Sequence, residues 1–197
     1  MGNKFESNEG DEARPEEKPK IRIQSFASKW QESTEECIKE VIRTQRNDPN
    51  AEVKPRYNDI QKNCQRFPNE DFKIAVDEET DEVVGTIGIR FLKEGIGQLI
   101  RFSVRPAFEG KGIGSQLYDE LMSYAKANSY REIYLTTGAS LTHAKARGMY
   151  EKRGFKRLSF DDLSEDTKDL ILSGDDNIKH IEEGKTLIYK LELEKEK

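Results

Sequence analysis

The spacing of apolar residues along the first half of the chain predicts strands alternating with amphipathic helices. Segments 21–26, 72–76 and 82–92 have the apolar content of strands, and the last two are separated by an acidic turn, which predicts an antiparallel meander. In the third strand, Val83, Ile87, Ile89 and Phe91 are expected to share one face. Two helices are predicted between the first two strands, with Ser28 as the cap of the first. Their apolar stripes are Trp30, Thr34, Cys37, Ile38, Val41 and Ile42, then Tyr57, Ile60, Cys64 and Phe67.

A strand, a glycine turn and a helix follow at 97–128. The strand is expected to alternate, with Leu99, Arg101 and Ser103 on one face and Ile100, Phe102 and Val104 on the other. Glycines recur at 110, 112 and 114, before a helical stripe of Ile113, Leu117, Leu121 and Tyr124. Because glycine permits a close backbone approach and the first N–H groups of a helix point outward, this pattern predicts a phosphate or pyrophosphate site. A plain tight turn between two core elements is the alternative.

The pattern of the second half of the chain predicts a helical crossover between two parallel strands, followed by further strands of the sheet. We predict strands at 132–137, 155–160 and 186–193, and a helix that ends near 153–154. Since a helix separates the strands at 97–104 and 132–137, we expect them to be parallel neighbours with a ligand crevice at their carboxyl ends. The acidic segment 161–184, with a short helix at 165–172, is interpreted as an insertion.

Composition limits the classes of protein that fit. The chain has 197 residues, 34% of them hydrophobic and 36% charged, with a net charge of −5. We predict a disordered charged tail at 1–20 and a single domain at 21–197 that includes the insertion. The acidic balance argues against a nucleic-acid partner, and no apolar run predicts a membrane span or a signal core, so we expect a soluble, cytoplasmic protein. Cys37 and Cys64 lack metal-ligand spacing, which predicts buried thiols and no metal site.

Two blocks of sequence resemble the GNAT superfamily of acyl-CoA-dependent N-acetyltransferases. VRPAFEGKGIGSQL at 104–117 is similar to the pyrophosphate-binding motif of that family, and AKARGMYEKRGF at 144–155 is similar to its later helix. The Walker A and Rossmann glycine patterns fit badly, since Lys111 is followed by Gly112 and the turn reads GxGxG. The resemblance implies an α/β (α+β) fold: a mixed, mostly antiparallel sheet of six to seven strands, flanked by helices, with a central parallel pair splayed at the cofactor site.

The resemblance also implies roles for particular residues. Backbone amides of Gly110 to Ser115 are expected to hold the pyrophosphate of acetyl-CoA, and the main chain at Phe102 and Val104 to pair with its pantetheine arm. Tyr150 matches a general acid, because a tyrosine with a pKa near about 10 stays protonated at neutral pH and can donate to the departing thiolate. A main-chain N–H near Val104 is expected to stabilise the oxyanion. The implied cofactor-binding residues are Phe102, Ser103, Val104, Glu109, Gly110, Lys111, Gly112, Ile113, Gly114, Ser115 and His143.

Three positions depart from the family pattern. Glu109 replaces an arginine or glutamine and puts a carboxylate beside a diphosphate, with Lys111 and Arg105 as the groups expected to offset it. His143 stands where many members have an asparagine that contacts the cofactor. Gln98 stands where some members have a glutamate base, which leaves the base open. The candidates are a water relayed through Ser103, Thr136 or Thr137, and then Glu94 or His143.

Two functions follow from these residues. The first is an N-acetyltransferase that moves an acetyl group from acetyl-CoA to a primary amine, by direct attack in a ternary complex. The amine is a small molecule, a lysine or a peptide N-terminus, and the acids of 161–184 favour a cationic one. It is expected to enter over 46–54, 93–97 and 161–184. The second is a non-catalytic acyl-CoA-binding or interaction module on the same fold. We expect a monomer or homodimer without a membrane or nucleic-acid partner.

Overall fold

A seven-stranded mixed sheet forms the centre of the protein, in a computed structural model that describes residues 18–53, 59–172, 181 and 183–194. The order across the sheet is β1-β2-β3-β4-β5-β7-β6. All neighbours are antiparallel except β4 and β5, which are parallel. This confirms the predicted fold class. The strands are β1 Ile21–Ser25, β2 Asp71–Asp77, β3 Glu82–Lys93, β4 Ile96–Val104, β5 Glu132–Gly138, β6 Lys156–Leu158 and β7 Thr186–Glu192.

Helices cover both faces of the sheet. They are α1 Gln31–Arg46, α2 Ile60–Cys64, α3 Ile113–Ala127, α4 Ala144–Lys152 and α5 Glu165–Leu172. The side chains of α3 and α4 pack on one face, in a core cluster that includes Ile87, Leu117 and Tyr150. On the other face, α1 and α2 cover β2 and β3, and α5 covers β5 and β7. Residues 1–17, Tyr57 and most of 173–182 lie outside the described residues.

The structure tests several of the local predictions. Cys37 and Cys64 are free and buried as predicted, and burial raises the pKa of their thiols to about 12 and about 11. The prediction that Ser28 caps α1 is wrong, because Ser28 begins a short 3-10 turn and its hydroxyl donates to Gln61 Oε1 at 3.1 Å. Phe67 lies beyond the end of α2 and is 49% exposed.

The predicted alternation of β3 fails at its start. Val83 packs in the core cluster under α1, whereas Ile87 and Ile89 pack in the cluster under α3. The cause is a register shift between β2 and β3 at Ala75 and Val76, since one extra residue moves the later side chains to the opposite face.

The predicted alternation of β4 is also wrong, because a β-bulge interrupts the strand at Arg101. Arg101 has a φ of 52°, and the register with β3 shifts between Thr86 and Gly88. The Thr86 hydroxyl donates to the carbonyl of Arg101 at 2.6 Å. Leu99 therefore packs on the same face as Phe102 and Val104, whereas Ile100 packs on the other face.

The parallel pair is joined over a short distance. β4 pairs with β5 only from Ile96 to Gln98, opposite Glu132 to Tyr134. Beyond that point β4 continues beside β3, and β5 continues beside β7. The two strands therefore separate from Leu99 onward, which confirms the expected splay and opens a cleft through the sheet.

Candidate active site

The separation of β4 and β5 creates a cavity of about 310 Å³. Residues of α1, including Ile38 and Val41, line it on one face of the sheet, and residues of α4, including Ala146 and Tyr150, line it on the other. Four of the predicted site residues, Phe102, Ser103, His143 and Tyr150, lie in its wall. The cavity thus connects the two faces of the sheet at the carboxyl end of β4.

Tyr150 is buried in α4 with its ring packed among aromatic side chains. Its centroid lies 6.3 Å from that of Phe102, 5.8 Å from Phe155 and 6.5 Å from Tyr189. Burial raises the pKa of Tyr150 above its ordinary value, so the hydroxyl is protonated at neutral pH. That hydroxyl makes no hydrogen bond to the described residues. It is therefore available as a donor within the cavity.

The free edge of β4 presents main-chain groups to the cleft. The N–H of Arg105 donates to the carbonyl of Val84 at 2.8 Å, toward β3. Since successive residues of a strand point their N–H groups to opposite edges, the N–H of Val104 points toward β5, where pairing has ended. The main chain of Phe102, two residues earlier, points the same way. This edge can accept an extended molecule as an added strand.

The glycine turn leaves a row of amides unused. Gly110 and Gly112 have φ values of 77° and 84°, and Gly112 is the N-cap of α3 without a capping side chain. The N–H groups from Gly110 to Gly114 have no acceptor among the described residues, whereas that of Ser115 donates to the Gly112 carbonyl at 3.1 Å. The side chain of Ile113 is buried, so only its main chain faces outward. Such a helix start favours an anion.

The carboxylate of Glu109 is neutralised by a residue that sequence reasoning missed. Lys145, in the first turn of α4, donates to Glu109 Oε2. The expectation for Arg105 is wrong, because its guanidinium pairs with Glu40 and Glu82 at 3.5 and 3.0 Å. Lys111 lies over the ring of Phe108, at 5.3 Å. No spacing in the sequence connects Glu109 to Lys145, since the contact forms only when α4 packs beside the turn.

His143 is held in place by hydroxyl groups. Its Nδ1 lies 2.9 Å from Ser140 Oγ and 3.1 Å from Thr142 Oγ1. The ring covers Gly138, where a Cβ would come within 2.7 Å of Nδ1. Burial and then the charge of Arg147 lower the pKa of His143, so the imidazole is neutral at pH 7.

The candidates for a base are divided between two places. Thr136 and Thr137 line the cleft with Ser103. Glu94 lines a separate cavity, with Asn69 and Arg131, and the structure does not bring it to the cleft. Among the described residues, the cleft wall contains no aspartate or glutamate.

Two arginines in the cleft wall were also missed by sequence reasoning. Arg90 of β3 is 9% exposed, and its guanidinium donates to Oε1 of the buried Gln98. Arg101 lies at the bulge of β4, and both arginines line the cavity. An arginine within an otherwise apolar strand is the sequence signal that could have found Arg90.

Comparison with known proteins places this site in a family. The sequence model of the Acetyltransferase (GNAT) family matches residues 36–155. N-acetylaspartate synthetase from Xenopus tropicalis is 33% identical over 101 residues, which cover 51% of this chain and 36% of that relative's length.

None of the described helices is long and apolar enough to cross a membrane.

Solved structures share the fold. An acetyltransferase of the GNAT family from Staphylococcus aureus Mu50 superposes with a TM-score of 0.70 and 21% identity, over 89% of this chain and 100% of that one. PaiA N-acetyltransferase from Thermoplasma acidophilum, in complex with coenzyme A, superposes with a TM-score of 0.67 and 17% identity, over 88% and 99%. Because the family match spans more than half of the chain and includes both the glycine turn and Tyr150, the protein belongs to the acetyltransferase (GNAT) family.

Proposed function

We propose that the protein transfers an acetyl group from acetyl-CoA to a primary amine, by direct attack of the amine in a ternary complex. The observation that carries this proposal is the cleft formed where β4 leaves β5, with Tyr150 in its wall and with the open glycine turn following the same end of β4. Family membership supports the reaction, and coenzyme A in the Thermoplasma acidophilum relative supports the cofactor.

The cofactor is proposed to lie along the free edge of β4. The amides from Gly110 to Gly114, with the Ser115 hydroxyl and the Lys111 ammonium, are suited to a diphosphate. The main chain of Phe102, Ser103 and Val104 would pair with the pantetheine arm, and His143 would contact it from the facing wall. Glu109 would act through Lys145, whose charge offsets the carboxylate beside these amides.

Acetyl-CoA supplies the acetyl group as a thioester that an amine can attack. The Val104 N–H, which points away from β3, would stabilise the negative charge that develops on the thioester oxygen. The Tyr150 hydroxyl would donate its proton to the departing sulfur. The proton lost by the amine would leave through water ordered by Ser103, Thr136 or Thr137. These roles require no carboxylate in the cleft wall.

The acceptor classes proposed are a small-molecule amine, a lysine and a peptide N-terminus. The name of the Xenopus relative describes an amino-acid acceptor, which supports the small-molecule class. The cationic acceptor favoured by the acids of 161–184 finds no support in the cleft, because the described wall has no carboxylate. The domain limits at 21–197, a cytoplasmic location and a monomeric or homodimeric state stay predictions.

A non-catalytic acyl-CoA-binding module is the second candidate, favoured by Gln98 in place of a carboxylate base. Calorimetric titration with acetyl-CoA, followed by an assay of thiol release with a panel of amines, separates the two. We expect both binding and thiol release. Binding without release for any amine would favour the module, and no binding would contradict both candidates.

A further inference from the structure

Two permanent positive charges line the face of the cleft that α1 and α2 cover. Arginine carries a planar cationic guanidinium with five hydrogen-bond donors, and Arg90 and Arg101 both lie in this wall. Both arginines line the cavity together with Ile38 and Val41 of α1 and Asn63 of α2. The described wall contains no carboxylate, and its polar residues include the amides of Gln45, Asn63 and Gln98.

The β4 bulge is what brings Arg101 to this face. In a regular strand, residues 99 and 101 would point the same way, and Leu99 packs in the core cluster under α3. The positive φ of Arg101 breaks that alternation, and Arg101 lines the cavity with Asn63 of α2. A non-glycine residue with positive φ carries backbone strain, which concentrates at functional sites.

The buried carboxylate of Glu70 is held by other groups. Its oxygens accept from the main-chain N–H groups of Arg66 and Phe91, at 2.6 and 3.1 Å. It forms an ion pair with the Arg66 guanidinium at 3.4 Å. Glu70 is not part of the cleft wall, so the charged residues of the described wall are cations.

We infer that the acceptor is a small amine that carries a carboxylate, bound by the guanidinium groups of Arg90 and Arg101 while its amine faces the free edge of β4. The inference rests on the proposed function. Arginine matches a carboxylate with two parallel hydrogen bonds, and cations withdrawn from water are stabilised by an anionic ligand. A cavity of about 310 Å³ that must also admit the thioester suits a small molecule.

The same charges assist the reaction at a site without a carboxylate base. A like charge nearby disfavours the ammonium form of an amine and lowers its pKa. With its carboxylate on the arginines, the acceptor would present its amine in the neutral, nucleophilic form more often than in water. A cationic polyamine would gain no such binding and would be repelled by the wall.

The test compares acceptors that differ only in the carboxylate. We would measure kcat/KM at saturating acetyl-CoA for aspartate against its diamide, β-alanine against β-alaninamide, and spermidine as the cationic amine. We expect each carboxylate to exceed its neutral amide by about tenfold or more, the effect of one charged hydrogen bond. Higher kcat/KM for the amides or for spermidine would overturn the inference.

Variants of the two arginines test whether they cause the preference for carboxylate acceptors over amides. Arg90→Gln and Arg101→Gln should each lower kcat/KM for the carboxylates by about 10-fold to 100-fold, and for the amides by a clearly smaller factor. The control is Arg157→Gln, an exposed arginine of β6 outside the cleft. Equal losses for carboxylates and amides would contradict the assignment. If a variant does not fold, the wild-type comparison still decides the inference.

A failure of the proposed function gives a different result. If no amine releases coenzyme A, the proposed transfer is wrong. Calorimetric binding of aspartate and of its diamide to the protein saturated with coenzyme A then tests the inference alone. Tighter binding of aspartate, lost in Arg90→Gln, would support it, and equal or absent binding of both would overturn it.

Discussion

Lys145, in the first turn of α4, donates a hydrogen bond to the carboxylate of Glu109 in the glycine turn. Both side chains are exposed, Lys145 by 77% and Glu109 by 48%. An exposed ion pair contributes little to stability. The pair matters for charge instead, because it offsets a carboxylate next to the amides that are proposed to hold a diphosphate.

Replacing Lys145 with alanine should weaken acetyl-CoA binding. The variant leaves the Glu109 carboxylate without its partner, and we expect the Kd for acetyl-CoA to rise by about threefold to tenfold, from a surface electrostatic effect of about 1 kcal/mol. Calorimetry at low salt measures the change. Lys152→Ala, at the end of the same helix, is the control. Adding Glu109→Gln to Lys145→Ala should restore the affinity, and no restoration would contradict this role.

Tyr150→Phe should lower turnover without loss of cofactor affinity. The hydroxyl has no hydrogen bond to the described residues, so its removal leaves the packing with Phe102 and Phe155 intact. We expect kcat to fall by about 100-fold, as for loss of a general acid, and the Kd for acetyl-CoA to change little.

The control for that experiment is Tyr189→Phe. Tyr189 packs beside Tyr150, but its hydroxyl donates to Glu151 Oε1 at 2.9 Å and does not line the cleft. It should keep wild-type kcat. A large loss of acetyl-CoA affinity in Tyr150→Phe would instead identify Tyr150 as a packing residue.

Gly112→Val should abolish acetyl-CoA binding while the domain stays folded. At a φ of 84°, a β-branched residue costs about 1 to 3 kcal/mol, and its side chain would occupy the open space above the turn. Calorimetry should show no binding, and circular dichroism should show a folded protein with a lowered Tm. Retained binding would mean that the amides of this turn do not hold the diphosphate.

The sequence predicted the architecture because the elements rest on local patterns. The strand predicted at 186–193, the stripe of α3 and the motifs around Gly112 and Tyr150 each lie within one short segment. The splay of β4 from β5 followed from the family resemblance, and the pairing that ends at Gln98 confirms it.

What the sequence did not predict depends on contacts between distant segments. The bulge at Arg101 reverses the faces of β4, and period-two alternation alone cannot indicate an extra residue. The pairing of Glu109 with Lys145 depends on how α4 packs, and the place of Arg90 in the cleft depends on the splay. The spacing of motifs in the sequence therefore could not predict either the Glu109–Lys145 pair or the position of Arg90.

His143 should make the stability of the protein sensitive to acid. Its pKa is lowered in the folded state by burial and by Arg147, so below the ordinary value of 6.5 the unfolded chain binds more protons than the folded one. The stability present above that pH is lost as the pH falls. Between about pH 7.5 and about pH 5.5, the Tm of the wild type should fall further than that of His143→Gln. Equal falls would contradict the lowered pKa.

Gly148→Ala should stabilise the protein and leave its activity unchanged. Gly148 lies inside α4, and a Cβ there would meet no atom within 4 Å, so alanine gains helix propensity of about 1 kcal/mol without a clash. For a chain of this size the Tm should rise by about 2 to 4 °C, measured by thermal unfolding. Gly154→Ala is the matched contrast, because Gly154 follows the C-cap of the same helix at a φ of 88°, where alanine is strained and should lower the Tm. A Tm that falls in Gly148→Ala would mean that α4 needs the glycine, either for packing or for a bound cofactor. The kcat of the variant would separate these two explanations.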